Sequence, residues 1–136
     1  MAWLNATPKP PAGSRRAKAE ATHSISRRDR LKRDRIPPPM PPNPAPHIID
    51  RLIEIGLTEA AGMGAGPLSW ATIVAWQQAT GIRLPPWEAR LIRRLSVDYL
   101  AESRRAEDET CPPPWRGTVS QAEIDSEAQR LRDLLG

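Results

Sequence analysis

The chain has 136 residues, a formal net charge of +4, 39% hydrophobic residues, 16 prolines and no phenylalanine, so it has room for one modest domain with part of the chain outside a packed core. A single cysteine excludes an intramolecular disulfide, and we expect a reducing cytoplasm. The sequence shows neither a secretory signal nor the ~20 apolar residues of a membrane span, so secretion by a signal peptide and membrane association are not expected.

The first part of the chain is basic and rich in proline. Residues 1–46 hold ten Lys or Arg against three acids, about +7, which leaves the remainder near −3. Closely spaced prolines lack N–H donors and disfavour helix at the preceding residue, so residues 1–45 are predicted to form an extended arm and linker. Trp3 and Leu4 are predicted to dock on a partner, with a frayed terminus as the alternative.

The run ISRRDRLKRDR concentrates the charge of this arm. Ser24 or Ser26 can cap a short helix, but the apolar residues are too sparse to bury a face, so the run is predicted to order on an acidic protein surface. Nucleic acid is the less favoured partner, because no aromatic residues lie between the arginines and no nucleic-acid-binding motif is present. The predicted contact residues are Arg27, Arg28, Arg30, Lys32, Arg33 and Arg35.

Residues 46–106 are predicted to form a helical core domain. Pro46 opens the first helix, Gly56 ends it, and the segment TEAAGMGAGP reads as a flexible loop. Ser69 caps the second helix and Gly81 ends it, while the prolines at 85 and 86 begin the third. The residues that helical periodicity places in the core are Ile49, Leu52, Ile53, Trp70, Ile73, Val74, Trp87, Leu91, Ile92, Leu95 and Tyr99.

The tryptophans are large enough to fix a small core, and any that is exposed becomes a candidate contact for a partner. Trp76 lies at the margin of its helix face and is predicted either to join the core or to contact a partner. Trp115 follows three prolines in a linker over residues 107–118 and is predicted either to contact a partner or to fold back over the body.

Residues 119–136 are predicted to form a C-terminal amphipathic helix. Ser120 and Glu123 form a capping box. Ile124, Ala128, Leu131 and Leu135 then make a narrow apolar stripe of the helix-pairing kind. The stripe is predicted to contact either the body of the same chain or another chain.

Catalytic and metal-binding constellations are missing from the pattern. His23 and His47 lie on either side of the proline spacer, and Cys111 has no His or acid arranged beside it. We therefore expect no metal, no cofactor and no enzymatic activity. The fold expected is all-α, a small bundle of three to four short helices with an extended Pro/Arg-rich N-terminal arm.

The segment from Trp70 to Tyr99 carries the patterns W-x-x-I-x-A-W, TGI-x-L and P-W-E-A-x-x-I-R-x-L-S-x-x-Y. In these it resembles small proteins of the tail modules of long-tailed bacteriophages and prophages, in particular tail assembly chaperones. The resemblance implies a non-enzymatic assembly factor of the host cytoplasm that binds the helical tape-measure protein and recruits tail-tube subunits.

The long basic and proline-rich N-terminus departs from a compact chaperone domain. It favours, as an alternative, a minor virion structural protein whose arm threads between neighbouring capsid or tail subunits. A nucleic-acid-binding accessory protein is a third reading and depends on the arm alone.

Overall fold

A computed structural model describes residues 1–19, 24–117 and 121–136. Within these ranges the chain is mostly helical, with one short hairpin that corrects the expectation of a purely all-α fold. The elements are α1 (Ala2–Asn5), α2 (Arg15–Ala19), α3 (Arg27–Arg33), α4 (Pro46–Ile55), β1 (Glu59–Ala61), β2 (Gly64–Gly66), α5 (Trp70–Thr80), α6 (Pro86–Arg105) and α7 (Gln121–Leu135).

Local capping chemistry sets the ends of the central helices. Pro46 occupies the first turn of α4, where its missing N–H has no helical partner to lose. Ser69 caps α5 by accepting a hydrogen bond from the backbone N–H of Thr72. Gly81 ends α5 in the left-handed conformation, at φ 71°. The structure confirms these predicted boundaries.

A small aliphatic core joins α4, α5 and α6. Of the predicted core residues, Leu52, Ile73 and Ile92 lie in it, and Leu95 packs against it. Leu68, from the segment between the hairpin and α5, is also fully buried although the sequence pattern does not single it out. The buried cluster consists of Ile48, Leu52, Leu68, Ile73 and Ile92.

Several predicted core residues are exposed instead, and others are only partly buried. Ile49 and Tyr99 are partly buried. On α5 the predicted core residues are exposed because apolar side chains lie all around the helix, so hydrophobic periodicity does not identify the buried face. Only Ile73 of this helix is fully buried. The exposed ones are Ile53 (52%), Trp70 (48%), Val74 (47%), Trp87 (58%) and Leu91 (37%).

The buried line of α6 contains two polar residues. It runs through Glu88, Ile92 and Ser96 at four-residue spacing. Ser96 belongs there because its hydroxyl donates to the carbonyl of Leu57 at 2.8 Å and accepts from the N–H of Leu68 at 2.9 Å. One side chain thus joins α6 to the chain on both sides of the hairpin.

The glycine-rich segment forms the hairpin in place of the predicted flexible loop. β1 and β2 pair antiparallel, with Glu59 opposite Gly66 and Ala61 opposite Gly64. A Cβ on Gly66 would lie 2.7 Å from the Cβ of Ala61, so this position needs a glycine. Glycines here permit a close turn as well as flexibility, and composition alone does not distinguish the two.

The N-terminal arm is also more ordered than expected. α1 packs on α6 and on α3, and Leu4 is only 4% exposed. The backbone N–H of Lys9 donates to the carbonyl of Glu107 at 2.7 Å. Ser26, one of the two predicted caps, accepts a hydrogen bond from the N–H of Asp29 and begins α3. The proline spacer, residues 36–45, contains no helix or strand, whereas α1, α2 and α3 lie before it.

α7 covers most of the predicted C-terminal helix. Ser120 and the side chain of Glu123 lie outside the described residues, as does the predicted boundary at residues 118–119, so the capping box stays a prediction. In the part of the chain that the structure describes, no helix has the length and apolar character needed to cross a membrane.

Candidate protein-binding surface

The exposed side of α5 presents a tryptophan and a valine one helical turn apart. Trp70 and Val74, which we call the α5 outer face, are 48% and 47% exposed. At ~100° per residue, the fully buried Ile73 lies ~60° around the helix from Trp70 and ~100° from Val74, so these two side chains flank the buried side of the helix. The guanidinium carbon of Arg93 lies 5.5 Å from the centroid of the Trp70 ring, within cation–π range.

A groove continues from this face to the end of α5. It has a volume of about 430 Å³ and is lined by Val74, Gln77, Gln78, Gly81, Arg83 and Leu84. The side-chain oxygen of Gln77 accepts a hydrogen bond from the backbone N–H of Leu84 at 2.7 Å, which joins two of the lining residues. The lining contains both apolar and polar side chains, which suits a partner segment that presents both kinds.

A second exposed apolar pair lies on α6. Trp87 is 58% exposed and Leu91, one turn later, is 37% exposed. Because successive helical residues are ~100° apart, Leu91 and Arg93 lie on opposite flanks of the buried Ile92. The Trp87 pair is therefore separate from the α5 outer face that Arg93 adjoins.

The first turn of α6 also carries a buried carboxylate. Glu88 is 7% exposed and forms an ion pair with Arg51 of α4. The Nε2 atom of His47 lies 3.7 Å from the second oxygen of Glu88. These contacts join α4 to α6.

α3 presents most of the predicted basic contact residues to solvent. Arg28, Arg30, Lys32 and Arg33 are exposed on the helix, and Arg35 is exposed just after it. Arg33 lies 3.3 Å from the carboxylate of Asp34, and contact of these basic residues with an acidic partner stays a prediction.

Arg27 differs from its neighbours because it is buried. Its guanidinium donates to the carbonyl oxygens of Trp3 at 3.2 Å, Ala106 at 2.5 Å and Asp108 at 2.8 Å, and it stacks 4.5 Å from the centroid of the Trp3 ring. Burial lowers the pKa of Arg27. An arginine keeps its charge at neutral pH even so.

The predicted docking residues at the N-terminus are likewise occupied within the chain. The indole N–H of Trp3 donates to the carbonyl of Cys111 at 2.8 Å, and Leu4 is buried. Together with Arg27 they hold the N-terminal segment on the end of α6, a contact that we call the N-terminal clasp. These three residues are predicted from the sequence to contact a partner. In the structure they contact their own chain instead.

The remaining predicted contact residues lie either on the side of α5 away from its outer face or on other parts of the chain. Trp76 is partly buried on α5, and Trp115 is 36% exposed at the mouth of a small apolar cavity of about 200 Å³. Ile124, Leu131 and Leu135 are exposed on α7.

The described residues do not gather a set of metal ligands. Within residues 1–19, 24–117 and 121–136, no group of three or more His, Cys, Asp or Glu could hold a metal ion. His23 lies outside these residues.

Sequence reasoning missed the groove beside the α5 outer face. Its polar lining comes from Gln77, Gln78 and Arg83. The available signal is the pair of glutamines in a helix with few other polar residues, three and four residues before the glycine that ends it. Periodicity places Gln77 on one face with Trp70, Ile73 and Val74 but does not mark that face as a groove.

Comparison with known proteins identifies the family of this chain. The model of the phage tail assembly chaperone family matches residues 32–101, just over half of the chain. No curated protein and no solved structure gives a significant match. The matched range contains the core, the hairpin, the α5 outer face and the groove, and leaves out α1, α2 and α7. This chain belongs to the phage tail assembly chaperone family.

Proposed function

We propose that the protein binds the tape-measure protein of its phage through the α5 outer face and the adjoining groove. In this role it keeps that long helical protein soluble in the host cytoplasm until tail-tube subunits assemble, and it makes or breaks no covalent bond. The observation that carries the proposal is Trp70, which is half exposed on the helix that buries Ile73 and lies one turn before Val74 at the edge of the groove. An amphipathic helix docks into such a groove through apolar side chains repeated every three or four residues.

The charged surface of α3 supports the same role. We propose that the exposed Arg28, Arg30 and Lys32 attract acidic segments of a partner. Exposed charges steer association more than they hold the complex, so we expect these charges to accelerate binding, with an effect that weakens as salt is added.

Co-expression with the tape-measure protein tests the proposal. The double variant Trp70→Ala with Val74→Ser removes the α5 outer face but leaves Ile73 and the rest of the core in place, so we expect a folded protein that no longer keeps the tape-measure protein soluble. Met63→Ser is the control, because Met63 is an exposed apolar residue at the hairpin tip. Circular dichroism checks folding, and the soluble fraction of the tape-measure protein is the readout.

Two outcomes would contradict the proposal. Full solubilisation by the double variant would show that the α5 outer face does not make the contact. Detection of the protein in purified mature particles at a fixed copy number would favour the minor virion protein instead, because a chaperone leaves before the tail is complete.

A further inference from the structure

α7 carries an apolar stripe that its own chain leaves exposed. Ile124 is 49% exposed, Leu131 54% and Leu135 86%, and they lie on one side of the helix with Ala128 between them. The hydrogen bonds described for the side chains of α7 stay within the helix. A 15-residue helix with this stripe is marginal in water by itself, so it gains stability when the stripe is covered.

The charges beside the stripe are divided along the helix. Asp125 and Glu127 lie in the first half of α7, and Arg130 and Arg132 lie in the second. At ~100° per residue, Asp125 and Arg132 border one side of the stripe, while Glu127 and Arg130 border the other. Each border therefore runs from an acid to a base.

This arrangement distinguishes the two ways in which a pair of α7 helices can meet. In an antiparallel pair related by a two-fold axis, each border lies beside the same border of the other copy, running in reverse. With the stripes aligned so that Ile124 lies opposite Leu135 of the second copy, Asp125 lies within about half a helical turn of Arg132 of that copy, and Glu127 within about half a turn of Arg130. A parallel pair instead brings the acids together at one end and the arginines together at the other, which is repulsive.

We propose that α7 pairs antiparallel with α7 of a second copy of this chain and that the protein is a two-fold symmetric dimer. The apolar stripe supplies the contact, and the four border charges select the partner and its direction. The exposed ion pairs contribute little energy, so the dimer is held mainly by the leucines and the isoleucine and its population depends on concentration. α7 lies outside residues 32–101, so this pairing goes beyond the proposed binding of a tail protein.

Sedimentation equilibrium of the full chain tests self-association. We expect a concentration-dependent dimer for the native protein and a monomer for Leu131→Asp, which puts a charge in the middle of the stripe. The control is Asp133→Asn on the opposite side of α7, which should dimerise like the native chain. A native protein that stays monomeric throughout the micromolar range, or a Leu131→Asp variant that dimerises normally, would overturn the proposal.

Charge reversal tests whether the borders choose the partner. Asp125→Arg with Glu127→Arg gives four bases along the stripe, and we expect the dimer to weaken at least tenfold at low salt. Adding Arg130→Glu and Arg132→Glu to that variant again puts opposite charges in the two halves of α7, now with the bases first. We expect dimerisation to return. Equal dimerisation of all three proteins would show that the charges play no part.

Disulfide cross-linking tests the direction in a Cys111→Ser background. An antiparallel pair brings residue 124 of one copy near residue 135 of the other, within the ~4.4–6.8 Å between Cα atoms that a disulfide spans. A mixture of Ile124→Cys and Leu135→Cys proteins should therefore cross-link as a heterodimer, while neither protein should cross-link alone. Cross-linking of Ile124→Cys with itself would establish a parallel pair and refute the antiparallel one.

Discussion

Arg27 shows how one side chain can close the end of a long helix. The last carbonyl groups of a helix have no partner within it, and a positive charge is favourable there. Arg27 supplies a hydrogen-bond donor and a positive charge at this helix end. Its guanidinium reaches from α3 to the carbonyls of Ala106 and Asp108, just after the end of α6. The sequence could not single it out, because it stands in a run of six similar basic residues and only the packing of α1 makes one of them different.

We expect Arg27→Ala to lower the free energy of unfolding by about 2–3 kcal/mol, because a buried charged donor is lost and three carbonyls are left without it. Arg27→Lys should recover only part of the loss, since an ammonium group cannot reach these carbonyls in the fork geometry of a guanidinium. Urea unfolding measures both.

The matched control is Arg30→Ala, in the same helix but exposed, which should change stability by no more than ~0.5 kcal/mol. If the two alanine variants were equally stable, Arg27 would contribute no more than a surface charge.

At the scale of elements, a single carboxylate fastens the hairpin to α5. One oxygen of Glu59 accepts from the backbone N–H of Ser69 at 2.9 Å, from the Ser69 hydroxyl at 3.1 Å and from the Thr72 hydroxyl at 2.6 Å. These hydrogen bonds lower the pKa of Glu59 below its ordinary value of 4.5. The negative charge also lies at the positive end of the α5 dipole.

This predicts how stability changes in acid. Because the pKa of Glu59 is lower in the folded state, its contribution is present above pH ~4.5 and is lost as the pH falls through the folded pKa. Glu59→Gln should therefore be less stable than the native protein at pH 7, and the two should converge at low pH. Urea midpoints from pH 7 to pH 2 measure the difference.

Asp108 does not confound this comparison. Hydrogen bonds from Thr110 lower the pKa of Asp108 too, but that group is present in both proteins and its effect cancels. A constant difference between Glu59→Gln and the native protein across the whole pH range would contradict the assignment.

Helix ends that depend on one local residue could be predicted from the sequence. Features that depend on contacts between distant residues could not. Pro46, Ser69 and Gly81 act through the backbone next to them, so their effect is visible in the sequence. The hairpin depends on Glu59 reaching α5, and the buried line of α6 depends on Ser96 finding Leu57 and Leu68. Hydrophobic periodicity does not report such polar contacts.

On the scale of the whole molecule, the structure has a body and a clasp. The body is the core between α4, α5 and α6, and it coincides with the family match over residues 32–101. Trp3, Leu4 and Arg27 of the N-terminal clasp lie outside that range, and the hydrogen bonds of the clasp end on backbone carbonyls. Composition does not report contacts of this kind, so it predicts an extended arm where α1 docks.

Two leucine substitutions should separate the clasp from the body. Leu4→Asp puts a charge into the contact between α1 and α6, so the amides of α1 and α3 should lose protection from hydrogen exchange while the thermal midpoint of the body stays nearly unchanged. Leu68→Ala removes a fully buried side chain from the core and should cost about 2–5 kcal/mol for the whole body. The two leucines are similarly buried, at 4% and 1% exposed. If only the loss of buried apolar surface mattered, the two variants would therefore lower the thermal midpoint of the body by similar amounts. If Leu4→Asp lowered the midpoint of the body as far as Leu68→Ala does, clasp and body would unfold as one cooperative unit, and residues 1–31 would be needed for the fold of the family domain itself.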